Sequence, residues 1–432
     1  MYYKKNILSN LIVQILSIGI GFITSILIAR GIGAENQGQF SYYLLIFGLI
    51  GTYGHLGITS SNSFFLKKTN YERNEILNTN ISTLFILSII YSILIILFKN
   101  QIFSSTTVML LIIWNLYAIA HTFYNFFITI YVSEEKIYVY NRYNMFANIV
   151  KGLAIIILFF INMLNILTLT IIYLLPEVLK CILMIKNIKY KFKFHINIKI
   201  LKEEFKYGIP LYLGAMFIYL NYKVDQIMIK KYLGNSELGI YSIAVHLAEL
   251  AFIFPEAIKA SFEGNLYACE EDKRKVTCEK TIRFTFYITV LICIIGCLCK
   301  PLVTILYGQE YKEAGIVMVI LLIGVAGAGI GKVAPGYFTT LGKPKVHFQV
   351  TSLVLIVNLI FNFILIPKIG IIGAAIASTI SYSFFGIIYL IMLKRAGISI
   401  RRMILIQKSD FYTGKQELLK MIKKIVFKGK NI

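Results

Sequence analysis

Long runs of hydrophobic residues recur along the whole chain. Stretches such as 81–98, 108–131, 285–299 and 316–330 contain no Lys, Arg, Asp or Glu. A helix needs about 20 mostly apolar residues to cross ~30 Å of hydrocarbon. Within lipid, every backbone amide must be bonded inside its own segment, which excludes isolated strands. The pattern therefore predicts an all-α integral membrane protein with about twelve transmembrane helices.

Polar intervals divide the runs into two sets of six, separated by a lysine-rich stretch that ends at Lys206. The first six spans are predicted at 7–29, 39–62, 79–98, 107–132, 143–162 and 166–186. The second six are predicted at 207–230, 238–262, 283–300, 314–341, 346–366 and 371–393. We expect four regions: an N-terminal six-helix lobe (1–190), a basic cytoplasmic linker (191–206), a C-terminal six-helix lobe (207–394) and a basic cytoplasmic tail (395–432).

The tail is too polar to span a membrane. Apolar residues at helical spacing alternate with lysines over 418–426. Two interpretations stay open: an amphipathic helix lying on anionic lipid, or a basic tail that only enforces topology.

Composition and charge agree with a membrane protein. The chain is 57% hydrophobic and 15% charged, with a mean hydropathy of +0.72, against about 45–50% and 25% in soluble domains. If the N-terminus is cytoplasmic, 32 Lys and Arg fall on the cytoplasmic side and seven on the opposite side of the net +23 chain. This positive-inside distribution places both termini in the cytoplasm, and no nucleic-acid partner is expected.

One short sequence occurs twice, at an offset of 201 residues. Gly33, Gly38 and Ser41 align with Gly234, Gly239 and Ser242, and each copy lies between two apolar segments. Membrane proteins built from two similar halves are typical of transporters that expose a midplane site to each side in turn. The repeat therefore suggests an internal duplication.

Three local patterns resemble chemical motifs, and none predicts a cofactor or a metal. The glycine run ending at Lys332 has Ala326 where a nucleotide-binding loop needs glycine and Val333 where it needs a hydroxyl. Its small residues at four-residue spacing instead predict close helix packing. The histidine–glutamate pair at 246 and 249 lacks a second half, and the six cysteines show no paired zinc spacing.

Polar residues inside the predicted spans lie on shared helix faces. At 100° per residue, Asn144, Asn148 and Lys151 fall on one face of the fifth span, and Gln14 and Ser17 share a face of the first. The seventh span places Asn221 and Asp225 together. The eighth carries His246, Glu249, Glu256 and Lys259 within one broad arc.

Lysines within the spans are costly if they face lipid, at about 2.5–3.5 kcal/mol each near the bilayer centre. Glu177/Lys180 and Glu256/Lys259 are spaced to neutralise each other. Lys151 and Lys332 have no acid within a turn, so these two are the leading candidates for binding an anion. The full cationic set comprises Arg30, Lys151, Lys223, Lys259 and Lys332.

Several short motifs in the second half of the chain resemble those of a known family. They read GIPL at 208–211, DQIMI at 225–229, LGNSELGIYSIA at 233–244, LYGQEY at 306–311 and LGKPK at 341–345. A last, longer motif spans 358–378. In this order they resemble the polysaccharide-biosynthesis flippases, which move O-antigen and related repeat units. These belong to the multidrug/oligosaccharidyl-lipid/polysaccharide exporter superfamily.

The resemblance implies a twelve-helix fold of two six-helix lobes around a central cavity. It also implies a non-enzymatic transporter in the bacterial cytoplasmic (inner) membrane. Its substrate would be an undecaprenyl-pyrophosphate-linked glycan of the O-antigen, lipopolysaccharide or capsule type, handed on to glycan polymerase machinery. Arg30 and Asp225 match positions of the family pattern.

The residues suggest a division of roles in such a cavity. We expect Arg30, Lys151, Lys223, Lys259 and Lys332 to bind the pyrophosphate, and Gln14, Asn144 and Asn148 to bind sugar hydroxyls. Asp225 or Glu249 would carry a coupling H⁺ or Na⁺. Three other functions remain open: a drug/cation antiporter, a lipid II flippase, and a membrane glycan polymerase or acyltransferase.

Overall fold

The structure is a computed structural model that describes residues 2–103, 106–188, 190–343 and 345–407. Side chains are described in these ranges except at 2–12, 14, 15, 260, 261, 263–265, 267, 268, 271 and 272. The side chain of Gln14 and the helix suggested for 418–426 therefore lie outside the described residues. In the part described, all regular structure is helical and no strand occurs.

Sixteen α-helices make up the described chain. They are α1 Tyr2–Tyr53, α2 Ile58–Lys68, α3 Arg73–Leu97, α4 Lys99–Ile102, α5 Val108–Ser133, α6 Ile137–Phe160, α7 Ile166–Ile188, α8 Ile198–Leu233, α9 Asn235–Glu249, α10 Ile253–Ala268, α11 Glu271–Leu298, α12 Lys300–Tyr307, α13 Lys312–Val333, α14 Pro335–Thr340, α15 Lys345–Arg395 and α16 Ile400–Ile404.

The predicted class, an all-α integral membrane protein, is confirmed. Nine described segments are long and apolar enough to cross a membrane. Two of them, Leu16–Lys68 and Lys345–Arg395, exceed 50 residues and are long enough to cross twice. Each contains a kink at a glycine with positive φ, Gly33 (72°) and Gly370 (64°). With α8, which is less apolar, these segments account for the twelve predicted spans.

Contacts group the chain into two compact units that do not follow sequence order. The first comprises Met1–Val245, Lys300–Val317 and Leu359–Ala374. The second comprises His246–Cys299, Met318–Asn358 and the chain from Ala375 onward. The first unit therefore contains the predicted outer loops of both sequence halves.

An aromatic cluster forms part of the core of the first unit. Trp114 on α5 is fully buried. Its ring lies 5.8 Å from Phe40 and 5.9 Å from Phe47, both on α1. Aromatic pairs at such distances add about 0.5–1.5 kcal/mol each beyond area burial, so this cluster fixes α1 against α5.

In the second unit, small residues let α13 pack closely against α15, as the glycine run on α13 predicts. A Cβ added at Gly324 would come within 2.7 Å of the Cα of Thr379, and one at Gly327 within 2.8 Å of the Cα of Ser383. Both neighbours lie on α15. The glycines thus let two helix backbones approach closely, which confirms the packing interpretation.

Candidate functional site

The two copies of the repeat contact each other in the first unit. Ser41 donates a hydrogen bond to Ser242 over 3.0 Å, and the Asn235 amide donates to the Glu35 carboxylate over 2.7 Å. A Cβ at Gly38 would come within 2.6 Å of the carbonyl carbon of Asn235. One at Gly239 would come within 3.0 Å of the carbonyl carbon of Ala34. The contact is reciprocal, as expected for two related segments.

The spacing of the repeat has a backbone explanation. Gly33 and Gly234 both have positive φ, 72° and 93°, which L-residues with a side chain rarely adopt. Five residues later, Gly38 and Gly239 provide the space for the crossing. Each copy therefore needs its first glycine for a kink and its second for close packing.

Arg30 lies beside the first copy of the repeat and bonds to backbone. Its guanidinium donates to the carbonyl oxygens of Ile305 and Leu306 at the end of α12, the latter at 2.6 Å. A helix leaves its last carbonyls without helical partners. In this conformation the predicted anion-binding arginine therefore caps a helix.

Asp225 is almost completely buried on α8 and holds the second copy in place. Its Oδ2 accepts a hydrogen bond from the Tyr241 hydroxyl at 2.5 Å, and its Oδ1 accepts from the amide of Gln226. The other predicted ion-coupling residue, Glu249, ends α9 and is partly exposed.

A charge cluster connects α5, α6 and α7 within the membrane-spanning part of the first unit. Glu177 bonds to Lys180 at 2.7 Å and to His121 at 3.2 Å, which confirms the predicted Glu177/Lys180 pair. The Lys151 ammonium lies 4.7 Å from the centre of the Tyr173 ring. With two lysines and one carboxylate, the cluster has excess positive charge even when His121 is neutral.

Aromatic side chains surround this α5–α7 charge cluster, which consists of His121, Lys151, Glu177 and Lys180. Lys180 lies 3.8 Å from the Tyr124 ring, and Tyr117 stacks on His121 at 5.6 Å. Cations held against aromatic faces gain about 0.5–2 kcal/mol, so the cluster is both charged and preorganised.

His121 was not found from the sequence. No residue near it in the chain is charged, and its partner Glu177 is 56 positions away. The only available signal was an isolated histidine within the longest charge-free run. The pair Glu177/Lys180 was found, but it was interpreted as self-neutralising.

The polar face predicted on the fifth span packs against the first span. Asn148 on α6 donates to Ser17 on α1 at 3.0 Å. Asn144, one turn earlier, is partly exposed, as is Lys151 one turn later. The structure thus brings Asn148 and Lys151 to one helix face. The third residue predicted to bind sugar hydroxyls is Gln14, whose side chain lies outside those described.

Lys332 has an acidic partner that the sequence did not reveal. Its ammonium lies 2.5 Å from the Glu256 carboxylate and 4.3 Å from the centre of the Phe252 ring. Its side chain is 16% exposed, against 61% for Glu256. Glu256 therefore pairs with Lys332 on α13, where the sequence suggested Lys259. Both lie in the second unit.

The two remaining predicted cations are partly exposed. Lys223 lies on α8, on the helix that carries Tyr219 and Asp225. Lys259 lies on α10. The five predicted cations are divided between the units: Arg30, Lys151 and Lys223 belong to the first unit, and Lys259 and Lys332 to the second.

Comparison with known proteins identifies the family. The sequence profile of the family described as "Polysaccharide biosynthesis protein" matches residues 3–255, and the MatE profile matches residues 210–364. The first match covers more than half of the chain. The chain therefore belongs to the polysaccharide biosynthesis protein family, as its motifs suggested.

Two curated relatives carry names from the same field. The chain is 30% identical to "Capsular polysaccharide biosynthesis protein CapF" of Staphylococcus aureus. The match covers 48% of this chain and 54% of that relative. It is 22% identical to "Putative O-antigen transporter" of Shigella flexneri, over 82% of this chain and 88% of the relative.

Solved structures show the same fold. "Lipid II flippase MurJ, inward closed conformation" matches with a TM-score of 0.78 at 17% identity, over 90% of this chain and 87% of that one. An inward-facing MATE family transporter of the MOP superfamily matches with a TM-score of 0.70 at 14% identity, over 89% and 95%. The protein is thus a multi-pass membrane protein with the fold of MOP-superfamily transporters.

Proposed function

We propose that the protein is a flippase for an undecaprenyl-pyrophosphate-linked oligosaccharide of the O-antigen or capsule type. It moves the glycan from the cytoplasmic to the outer leaflet of the bacterial cytoplasmic membrane by alternating access. The observation that carries the proposal is the α5–α7 charge cluster, an excess of cations among aromatic rings inside a membrane-spanning bundle. Membership of the polysaccharide biosynthesis protein family supports the choice of cargo.

The anionic pyrophosphate supplies the reason for cations in the bundle. A charge pair about 6 Å apart at an effective dielectric constant near 20 contributes roughly 3 kcal/mol. Lys151 suits this role because it is partly exposed and a cation–π contact holds it. Lys180 is already bonded to Glu177, so it contributes to the local electrostatic potential. Lys151 is then the lysine that binds the substrate.

The sugar part of the substrate would contact amides and aromatic rings. Asn144 lies on the same helix face as Lys151, whose ammonium lies 4.7 Å from the centre of the Tyr173 ring, and Tyr117 stacks on His121 of the same cluster. Hydroxyl-rich sugars need such hydrogen-bonding groups because a desolvated hydroxyl without a partner is costly. Gln14 and Asn148 complete the proposed sugar-binding set.

Reciprocal packing of the repeat supports a duplicated architecture, which is typical of transporters that work by alternating access. The crossing of Gly38 and Gly239 lies between spans, on the side that the charge distribution assigns to the exterior. Arg30, bonded here to α12 carbonyls, and Lys332, bonded here to Glu256, would bind substrate only after those bonds exchange. Lys223 and Lys259 complete the proposed cationic set. Asp225 or Glu249 would couple H⁺ or Na⁺ movement.

Two lysine substitutions test the binding site. Lys151→Ala should reduce surface polysaccharide while the protein remains in the membrane, because the pyrophosphate loses a contact. Lys186→Ala is the matched control, since Lys186 is exposed at the end of α7. Normal polymer in Lys151→Ala cells would reject the assignment of this cluster to substrate binding.

A further inference from the structure

A buried carboxyl group, separate from the charge cluster, lies where α8 packs against α2 and α3. Glu204 is fully buried, as are Asn80 on α3 and Asn62 on α2. The Asn80 amide nitrogen donates to Glu204 Oε1 at 2.9 Å and to Asn62 Oδ1 at 3.0 Å. Both hydrogens of this nitrogen are therefore used.

Two atoms of this group lack a hydrogen bond. Glu204 Oε2 and Asn80 Oδ1 are buried without a partner within the described chain. They belong to the two groups already joined by the bond from Asn80 to Glu204. Both are acceptors when the carboxyl is ionised, so neither can satisfy the other. A single proton on Oε2 would turn it into a donor and join these two atoms.

Fully buried apolar residues surround the group on one side. Ile200 lies one turn before Glu204 and Ile76 lies one turn before Asn80, and with Phe65 they form one buried hydrophobic cluster. One turn after Glu204, Gly208 packs directly against the backbone of Gly57. Such tight, apolar packing strongly disfavours an unpaired ionised carboxylate, which in proteins takes up a proton instead.

Charged side chains of the packed helices lie elsewhere. No Lys, Arg or His of the described residues forms an ion pair with Glu204. On α2, α3 and the first turns of α8, Glu75 bonds to Asn197, and the others are exposed: Lys67, Lys68, Arg73, Lys199, Lys202, Glu203 and Lys206. The remaining charged residues of α8, from Lys223 onward, lie 19 or more positions further along the helix. Thr129 of α5 accepts a bond from Asn62, and the charged residues that follow α5, Glu134 and Glu135, are exposed.

We propose that Glu204 is a proton-binding site, and that in this conformation its protonated carboxyl forms a cyclic pair with the Asn80 carboxamide. The Glu204 hydroxyl donates to Asn80 Oδ1 while the Asn80 amide donates to Glu204 Oε1. The proton comes from water and returns to water. Loss of this proton leaves the buried Glu204 carboxylate beside the Asn80 carbonyl oxygen. This change weakens the packing of α8 against α3.

Infrared difference spectroscopy of the purified protein tests the protonation directly. A neutral carboxyl has its own C=O stretch, which shifts in D₂O. At neutral pH, Glu204→Gln should remove one such band from the wild-type spectrum, whereas Glu203→Gln, which changes an exposed neighbour, should leave it. An unchanged protonated-carboxyl region in Glu204→Gln would overturn the proposal.

A second variant covers the case in which Glu204→Gln does not fold. Asn80→Ala removes both hydrogen bonds to the carboxyl, so the C=O band of wild-type protein should shift in frequency. No shift would mean that the acid does not pair with Asn80 and would overturn the cyclic pair.

The site also predicts a transport effect, and this part depends on the proposed function. Glu204→Gln imitates the protonated acid but has no proton to release. Surface polysaccharide should therefore fall at normal protein levels. If the infrared band is lost but polymer is unchanged, the proton site stands and its coupling to transport is rejected. Failure of the proton-site proposal and failure of its coupling to transport are therefore distinguishable.

Discussion

Gly38 and Gly239 of the repeat are packed differently from Gly48, which lies on the same helix as Gly38. Gly38 and Gly239 have a neighbouring backbone within the space that a methyl group would occupy, whereas Gly48 on the same helix α1 has no atom within 4 Å of that position. The sequence showed the repeat but not this contact, because offset and composition carry no information about which segments touch.

Alanine substitutions separate these cases. Gly38→Ala and Gly239→Ala should each lower the melting temperature in detergent, because overpacking costs about 1–3 kcal/mol. Gly48→Ala is the matched control and should be neutral or stabilising by up to ~1 kcal/mol, the helix-propensity gain. Equal melting temperatures for Gly38→Ala and Gly48→Ala would contradict the crossing.

Glu177 has a structural role that depends on charge. Its carboxylate is 12% exposed and balances Lys180, whose side chain is 6% exposed. Removing one member of a buried ion pair costs about 3–5 kcal/mol, whereas replacing both by apolar residues is often neutral.

A double-mutant cycle measures this balance. Glu177→Leu alone should strongly lower the melting temperature, and adding Lys180→Met should recover much of the loss. The measurement is thermal unfolding of the two single variants and the double variant. Additive losses would show that the two side chains act independently.

At the scale of elements, hydropathy located the membrane helices well. The predicted spans 107–132 and 166–186 correspond to Val108–Ser133 and Ile166–Ile188. The seventh span, predicted at 207–230, begins earlier, at Ile198, where the Asn197 side chain accepts bonds from the amides of residues 199 and 200. Hydropathy did not predict this start because the first turns of α8, over 198–206, are polar.

The linker before α8 is more ordered than its lysine-rich composition suggests. Its backbone amides at Lys193, His195 and Asn197 donate to Asn78, Ser82 and Thr79 of α3. Asn78 and Thr79 lie four and three residues before Ser82, so all three acceptors lie on one side of α3. The segment is therefore attached along α3 by side chains that sequence analysis assigned to no role.

Trypsin digestion tests this attachment. Asn78→Ala removes the acceptor for the Lys193 amide and for the Tyr190 hydroxyl. Cleavage after Lys191 and Lys193 should become faster because the segment detaches more often. Asn74→Ala, an exposed change on the same helix, is the control. Equal cleavage rates in both variants would contradict the role of Asn78.

At the scale of the whole molecule, the sequence predicted the class and the family, but not the site in three dimensions. Twelve apolar runs and a 32 to seven distribution of basic residues follow from the bilayer alone. Partners such as Lys332 and Glu256, 76 positions apart, or His121 and Glu177 meet only after the helices pack. Helix periodicity assigns a residue to a face and does not say which face it meets.

The central claim is that this chain carries a lipid-linked glycan across the membrane by means of Lys151 and its cluster. The most direct measurement is the leaflet in which the lipid-linked oligosaccharide resides, read by a membrane-impermeant enzyme that modifies the glycan. Modification is predicted in cells with the wild-type chain or Lys186→Ala. In a deletion strain and with Lys151→Ala, the intermediate should accumulate unmodified. Equal modification in the deletion strain would contradict the account.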